Sequence, residues 1–381
     1  MVKNNLKIAL IHDYLREYGG AERVLEALHE LYPSAPVFVS FVDEKAMGIH
    51  WQRFADWDIR QTWFAKIPLI KKLYSPLRVL VDKAFMSLNL SEYDLVISSS
   101  NAFEAKAVQV KNGTHLCYCH TPPRALYGYS TMTDWKKNPL IKFGGAIINH
   151  YMRIIDFKHA QKVDHFIANS QETKRRIEKF YRRESKVIHP PVNMVTKEQL
   201  KKYQQQAAKK YPTNYYLYIS RLSFSKHPEL AVQAANQLVI NLKVAGSGKM
   251  ESKLKEMASN NIEFMGAVND EQLHLLLAGA KGLIYPVADE DFGIVPVEAM
   301  AHGVPVIAHK SGGPLETVVD GETGVFFDDL TVKGLIKALN KFEKTKFNIE
   351  KIFKHAQQFS KSNFEKNILR YVQTVIKKEK E

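Results

Sequence analysis

Short apolar runs alternate with amphipathic stretches along almost the whole chain. In the first half LKIALIH, APVFVSF, LVISSS, HLCYCH, HFIANS and KVIHPP each have the length and composition of a strand. Helical patterns separate several of them, such as AERVLEALHELY after Gly19-Gly20, and QETKRRIEKFYR, which Ser170 caps. After Pro190-Pro191 the texture becomes polar in VTKEQLKKYQQQAAKKYP, and residues 191–213 read as a partly helical linker between domains. A second alternation then runs through NYYLYIS, NLKVAG, IEFMG, GLIYPV, PVIAH and TGVFF. The pattern predicts an α/β protein of two doubly wound, Rossmann-like domains of parallel strands, 1–190 and 214–360, facing one another across a cleft. A last amphipathic run, NFEKNILRYVQTVIKKEK within 361–381, can pack on either domain.

Length agrees with two cores, since 381 residues are many for one. Composition is that of a globular protein, 45% hydrophobic and 25% charged, with no low-complexity tract. The net charge of +14 points to anionic partners, and residues 1–190 carry 28 Lys/Arg against 19 Asp/Glu. A nucleic-acid partner is disfavoured, because zinc-ligand spacing and a basic stripe with interleaved aromatics are both missing. A pyrophosphate substrate and an anionic membrane fit the charge equally. Cys117 and Cys119, two apart in one strand-like run, share a face and read as reduced thiols. The opening MVKNNLKIALIHDY reads as a first strand rather than a signal peptide, and no stretch is long and apolar enough to span a bilayer. Asn112-Gly113-Thr114 matches a glycan acceptor triplet by chance. The expected location is cytoplasmic, with peripheral attachment to the membrane face as an option. DIRQTWFAKIPLIKKLYSPLR, Asp58 to Arg78, interleaves Trp63, Phe64, Ile67, Ile70 and Leu73 with Lys66, Lys71, Lys72 and Arg78. It suits an anionic bilayer or a surface helix whose apolar stripe faces its own core.

The chemistry gathers where strands should end. After YYLYIS come Arg221 and Lys226, two cations that can both reach one diphosphate through charge-assisted bonds of about 1.5–3 kcal/mol each. From that stretch alone, two solvated cations explain it as well. ADEDFGIVPVEAM places Glu290 and Glu298 at the ends of an apolar run holding Phe292, Gly293, Ile294 and Pro296. Pro296 suits the first turn of a helix ending near Gly303, which would set the Phe292, Gly293 and Ile294 amides at a positive terminus suited to an anion. Glu298 could then accept ribose hydroxyls and Glu290 those of a sugar. A helix-dipole carboxylate at 298 and a solvated one at 290 are the plainer alternative. Gly19-Gly20, Gly246-Ser247-Gly248 and Gly312-Gly313 are ordinary turns or places where backbone approaches phosphate. His120 closes HLCYCH with Arg124 four residues on, a structural histidine or one facing the cleft.

Taken in order, DYLREYGGAERV, YCHTPPR, FIANS, SRLSFSK, VAGSG, the E-x7-E of EDFGIVPVE and GGPLETVVDGETG cover nearly the whole chain. The ordered set resembles the retaining glycosyltransferases of family 4, which have the GT-B fold, and most of all polysaccharide and O-antigen mannosyltransferases that use GDP-mannose. The resemblance implies that Arg221 and Lys226 bind the donor diphosphate, Glu298 the ribose and Glu290 the donor sugar. It implies that Gly20, beside Gly19, approaches phosphate, that Gly246, Phe292, Gly293 and Ile294 belong to the donor site, and that His120 touches the transferred sugar. Arg124 is a candidate for an acceptor or anion contact. The last helix is expected back on the first domain, and the leaving phosphate is expected to deprotonate the acceptor hydroxyl. His227 departs from the family, where a glycine is usual. No metal or other cofactor is expected: Asp289-Glu290-Asp291 spells D-x-D, but Glu290 is already assigned by the E-x7-E spacing. The partners implied are a nucleotide-sugar donor and a glycan or lipid-linked acceptor. A sugar-nucleotide epimerase or hydrolase on the same fold, a non-catalytic nucleotide-binding subunit and a UDP-sugar donor are the competing readings.

Overall fold

The computed structural model describes residues 6–101, 104–130, 139–211 and 214–380. They divide into two compact units. The first contains residues up to Tyr129, the stretch through Pro191, and everything from Lys361 onward; the second contains Val192–Ser360 together with Ser130.

The first unit is built on seven parallel strands: β1 Ile8–His12, β2 Val37–Val39, β3 Ile59–Gln61, β4 Leu95–Ser100, β5 Thr114–Cys119, β6 His165–Ala168 and β7 Lys186–Val187. Their order is β3-β2-β1-β4-β5-β6-β7. Every residue of β4 and β5 is buried, which is why both read as apolar or small-residue runs rather than alternating ones. The two faces still separate cleanly. Leu10, Ile97, Leu116 and Tyr118 point into one core, while Ala9, Ile11 and Val96 point into another. The one strand the hydrophobic pattern does not reveal is β3, three residues at the sheet edge with Arg60 and Gln61 exposed.

The final helix, Lys361–Lys380, belongs to this unit. Phe364, Ile368 and Val372 enter the core beside Val24, Leu28 and Tyr118, and the Phe364 and Tyr118 rings meet edge to face at 5.9 Å. In segment 58–78 only some of the apolar side chains reach the core. Phe64 and Ile70 are buried in the core, whereas Trp63, Leu69 and Leu73 remain 39%, 67% and 42% exposed.

The second unit repeats the topology with six parallel strands: β8 Tyr215–Ile219, β9 Leu242–Ala245, β10 Ile262–Gly266, β11 Ala280–Tyr285, β12 Val306–His309 and β13 Gly324–Phe327. They lie in the order β10-β9-β8-β11-β12-β13. Tyr215 and Leu217 face one core, Tyr216 and Tyr218 the other. The polar stretch read as part of a linker is an integral helix here, Lys197–Lys210, closed at its start by a reciprocal Thr196–Gln199 capping box. A narrow stripe explains the difference: Leu200 and Ala207 are buried, and Tyr203 stacks on His274 at 4.8 Å, amid lysines and glutamines. Pro212 and Thr213, also assigned to the linker, lie outside the described residues.

In each sheet the strand order reverses beside the first strand, between β1 and β4 and between β8 and β11. Crevices outside the carboxyl ends of strands at such points are where doubly wound sheets bind ligands.

Candidate functional site

In the second unit the chain leaves β8 at Ile219 and forms a loop anchored by the buried Leu222. Exposed Arg221 lies on this loop, and Lys226 ends a short 3-10 turn, Phe224–Lys226. The neighbouring glycines support the loop by close backbone approach. A Cβ on Gly246 would stand 2.0 Å from the Ser220 carbonyl oxygen, and one on Gly248 would stand 2.3 Å from that of Leu222. The Leu222 amide donates to the Ser247 carbonyl at 2.9 Å, and Met250 N–H donates to the Leu222 carbonyl at 3.1 Å. Gly246 thus supports the loop that carries Arg221. His227, at the position where the family favours glycine, has φ +48° in the left-handed region, which supplies the physical reason for that preference.

Beyond β11, Asp289 (φ +53°) and Gly293 (φ +84°) shape the Glu290–Phe292 loop. It is fastened to the Ser311–Gly313 turn: the Gly313 amide donates to the Glu290 carbonyl at 2.8 Å, and the Asp289 amide to the Ser311 hydroxyl at 2.9 Å. Both glycines of that turn are needed, since a Cβ on Gly312 or Gly313 would fall 2.2 Å from the Glu290 oxygen or 2.1 Å from the Phe292 oxygen. The arrangement brings the Lys226 ammonium to 2.5 Å from a Glu290 carboxylate oxygen. Tyr285 ends β11 beside this pair, and burial together with the Glu290 charge holds its phenol well above the usual range.

The helix after Gly293 runs Ile294–Ala301, beginning earlier than Pro296 alone suggests. Ile294 opens it, and the first four amides of a helix have no partner within it, the basis of an anion site. Glu298, almost wholly buried, lies on this helix, and its carbonyl meets His302 Nδ1 at 2.7 Å. His302 Nε2 in turn meets His274 Nδ1 at 2.9 Å. Burial pushes His302 down to about 4, so this ring is neutral near pH 7. Among the described residues no group of three or more His, Cys, Asp or Glu is gathered as metal ligands would be, Asp289 and Asp291 included.

The first unit carries the other candidates. His120 follows β5 and is buried, its Nε2 2.8 Å from the Ser99 hydroxyl. Burial, assisted by the neighbouring His12, drives His120 down to about 3. The main-chain carbonyl of His120 accepts from the Thr173 hydroxyl at 3.0 Å. Gly19 is the N-cap of the helix Gly20–Leu31, and its amide is already engaged by Glu22 Oε2 at 2.8 Å; Gly20, the first helical residue, is exposed. Arg124 is half-buried, its guanidinium 5.8 Å from the Tyr129 ring centre.

Several residues here gave no sequence signal. Arg176 is buried, donates to the Thr121 hydroxyl at 3.0 Å and to Glu172 at 2.9 Å, and stacks over Tyr129 at 4.1 Å, bracing the turn after His120. Burial pushes Glu172 up, but Arg175 and Arg176 outweigh it and the net shift is downward. Lys106, Glu104 and Asp156 form a fully buried charged cluster: Lys106 pairs with both carboxylates, and Asp156 also accepts from Tyr127 at 2.6 Å and Tyr181 at 3.2 Å. Cys117 and Cys119 are buried and form no disulfide, and burial raises the Cys117 thiol to about 12. No described helix is long and apolar enough to cross a membrane.

Residues 18–195 match the family model Glycosyltransferase Family 4, and residues 200–365 match Glycosyl transferases group 1. The chain is 33% identical over 192 residues to the alpha-1,3/1,6-mannosyltransferase ALG2 of Dictyostelium discoideum, a match covering 43% of this chain and 46% of that protein. It thus spans less than half the length of that relative. With the alpha-1,3/1,6-mannosyltransferase alg2 of Schizosaccharomyces pombe the identity is 25% over 377 residues, 84% of this chain and 71% of the relative. Anabaena HepE, solved in complex with UDP and glucose, shares the fold at a TM-score of 0.69 and 21% identity, over 97% of this chain and all of that one. With two Rossmann-like units of the same topology, and successive family models matching first one and then the other, the chain belongs to the family 4 glycosyltransferases of GT-B fold.

Proposed function

We propose that the protein transfers mannose from GDP-mannose, with retention of configuration, to a glycan or lipid-linked acceptor in cell-surface polysaccharide synthesis. The observation that carries this reading is the convergence of Lys226, Glu290 and the Glu298 helix at the carboxyl ends of β8 and β11. Relatives named as mannosyltransferases support the sugar.

Cleaving the bond from sugar to phosphate leaves negative charge on the diphosphate. Arg221, Lys226 and the amide end of the Ile294–Ala301 helix stabilise that charge as it develops, a role worth several kcal/mol. Lys226, paired with Glu290, exchanges that carboxylate for the donor phosphate, which frees Glu290 to accept from sugar hydroxyls. Glu298 binds the ribose, and His120 meets the transferred sugar. Two cations on one loop, Arg221 and Lys226, take the part a divalent ion plays elsewhere, so transfer proceeds without metal.

The chain is also proposed to lie on an anionic membrane. Exposed Trp63, Leu69 and Leu73 adjoin Lys66, Lys71 and Lys72. Arg78 of this segment donates to Asn149 at 2.7 Å, joining it to the helix Pro139–Ala160, where Ile147, Ile148 and Tyr151 are exposed. Apolar anchors among cations match an anionic bilayer in both chemistry and charge.

The decisive experiment is thermal stabilisation across GDP, UDP, ADP and dTDP, followed by transfer assays with the cognate donors, with and without chelator. GDP at 100 times its dissociation constant adds about 2.7 kcal/mol of stability. Preferential stabilisation by UDP moves the donor to a UDP-sugar, inhibition by chelator returns the metal role to Asp289 and Asp291, and isomerisation of donor without acceptor identifies an epimerase.

A further inference from the structure

Four buried side chains in the first unit form one hydrogen-bonded line. Glu22 Oε1 lies 3.4 Å from His12 Nε2, His12 Nδ1 3.1 Å from Ser99 Oγ, and Ser99 Oγ 2.8 Å from His120 Nε2. The other Glu22 oxygen accepts the Gly19 amide at 2.8 Å. None of the four is more than 7% exposed. The line starts on the first turn of the Gly20–Leu31 helix and crosses the carboxyl ends of β1 and β4. It ends on the residue that follows β5.

Proton counting gives this line a direction. An ionised carboxylate only accepts, so His12 must donate from Nε2. A neutral His12 ring then has a bare Nδ1, which takes the single proton of the Ser99 hydroxyl. Ser99 in turn accepts from His120 Nε2–H, leaving a lone pair on His120 Nδ1. We infer that Glu22, acting through His12 and Ser99, is a positioning residue that fixes the His120 tautomer with its proton on Nε2 and its acceptor on Nδ1. The consequence for catalysis rests on the proposed function: His120 accepts from a hydroxyl of the transferred sugar and does not donate to it. The alternative, a doubly protonated His12, keeps the donation to Glu22 but reverses the two links beyond it and puts the His120 proton on Nδ1.

The test is long-range proton–nitrogen correlation NMR on the full chain with 15N-labelled histidine, which reads each ring nitrogen directly. Wild-type His120 is expected as the Nε2–H tautomer. Glu22→Gln should invert it, because the Gly19 amide claims the single carbonyl oxygen and turns the NH2 group toward His12. Gln also serves in a capping box, so the helix start is retained. Adding Ser99→Ala should break transmission, so that Glu22→Gln no longer changes the His120 spectrum. Nδ1–H on His120 in the wild type, or a tautomer that Glu22→Gln leaves unchanged, overturns the inference. The parallel kinetic expectation is a kcat about tenfold lower in Glu22→Gln, one hydrogen bond at the transition state. Inversion of the tautomer with unchanged turnover upholds the line and instead removes the sugar contact assigned to His120.

Discussion

The Lys226 ammonium and the Glu290 carboxylate meet at 2.5 Å across a separation of 64 positions in the chain. Both side chains keep some access to solvent, at 26% and 16%, so the pair itself adds little to stability, about 1 kcal/mol or less. Its effect on turnover is expected to be far larger. Lys226→Ala should lower kcat about 10²–10³-fold, because charge on the leaving diphosphate loses a compensating cation. Glu290→Gln should release the ammonium, leaving GDP affinity unchanged or higher in calorimetry while transfer falls. Weaker GDP binding in Glu290→Gln would mean that the carboxylate orients Lys226 instead of competing with phosphate for it.

His227 offers a stability gain at the same loop. Its left-handed backbone, at φ +48°, costs an ordinary residue about 1–2 kcal/mol, and glycine avoids that cost at the expense of some chain entropy. His227→Gly also gives up a partly exposed contact with Glu229 at 3.1 Å. The expected net is a gain of about 0.5 kcal/mol, read as a higher denaturant midpoint with unchanged m-value. A loss of stability would show that the imidazole–Glu229 contact outweighs the strain.

Acid should destabilise the fold at a mild pH. Burial lowers His115 to about 3, with nearby Lys106 adding to the shift, and it lowers His120 to about 3 and His302 to about 4. In the unfolded chain each titrates near about 6.5, so below that pH the unfolded state binds more protons than the folded one. The stability from keeping these rings neutral is fully present above about pH 7. It falls as pH drops through 6 and 5, by up to about 1.4 kcal/mol per unit for each histidine. Denaturation midpoints at pH 7.5, 6.5 and 5.5 should decline in that order. His302→Asn should flatten the slope, and a slope unchanged by that substitution would exclude His302 as a contributor.

The exposed apolar faces make a separable prediction. Lys71→Glu together with Lys72→Glu should abolish cosedimentation with vesicles containing anionic phospholipid, and Tyr151→Ser should weaken it. Transfer to a water-soluble acceptor should stay within about twofold in both variants, since none of the three residues is among those proposed to bind the donor. Binding indifferent to these changes would assign the exposed residues to some other surface.

The alternation of strands and helices was legible along the chain because fully buried parallel strands leave nearly continuous apolar runs. Edge strand Ile59–Gln61 was hidden for the opposite reason, being short and solvent-facing. Helix Lys197–Lys210 was legible only as a partly helical crossing between domains, because so few of its residues enter a core. At the site, the residue types were visible at Arg221, Lys226, Glu290 and Glu298, but the pairing of Lys226 with Glu290 depends on strands β8 and β11 lying side by side. The same holds for Ser99, which sequence presents as one serine among three and topology places between two imidazoles. Lys106 was equally silent: a lysine in AKAV reads as solvated, and only the fold brings Asp156 to it from fifty positions away.

The return of the Lys361–Lys380 helix to the first unit sets the timing of assembly on the ribosome. Residues 192–360 are synthesised as one uninterrupted block, so that unit can finish folding as soon as it emerges. The earlier unit must wait for Phe364, Ile368 and Val372, roughly ten to thirty seconds at ordinary translation speeds, with an unfilled apolar trough open to chaperones.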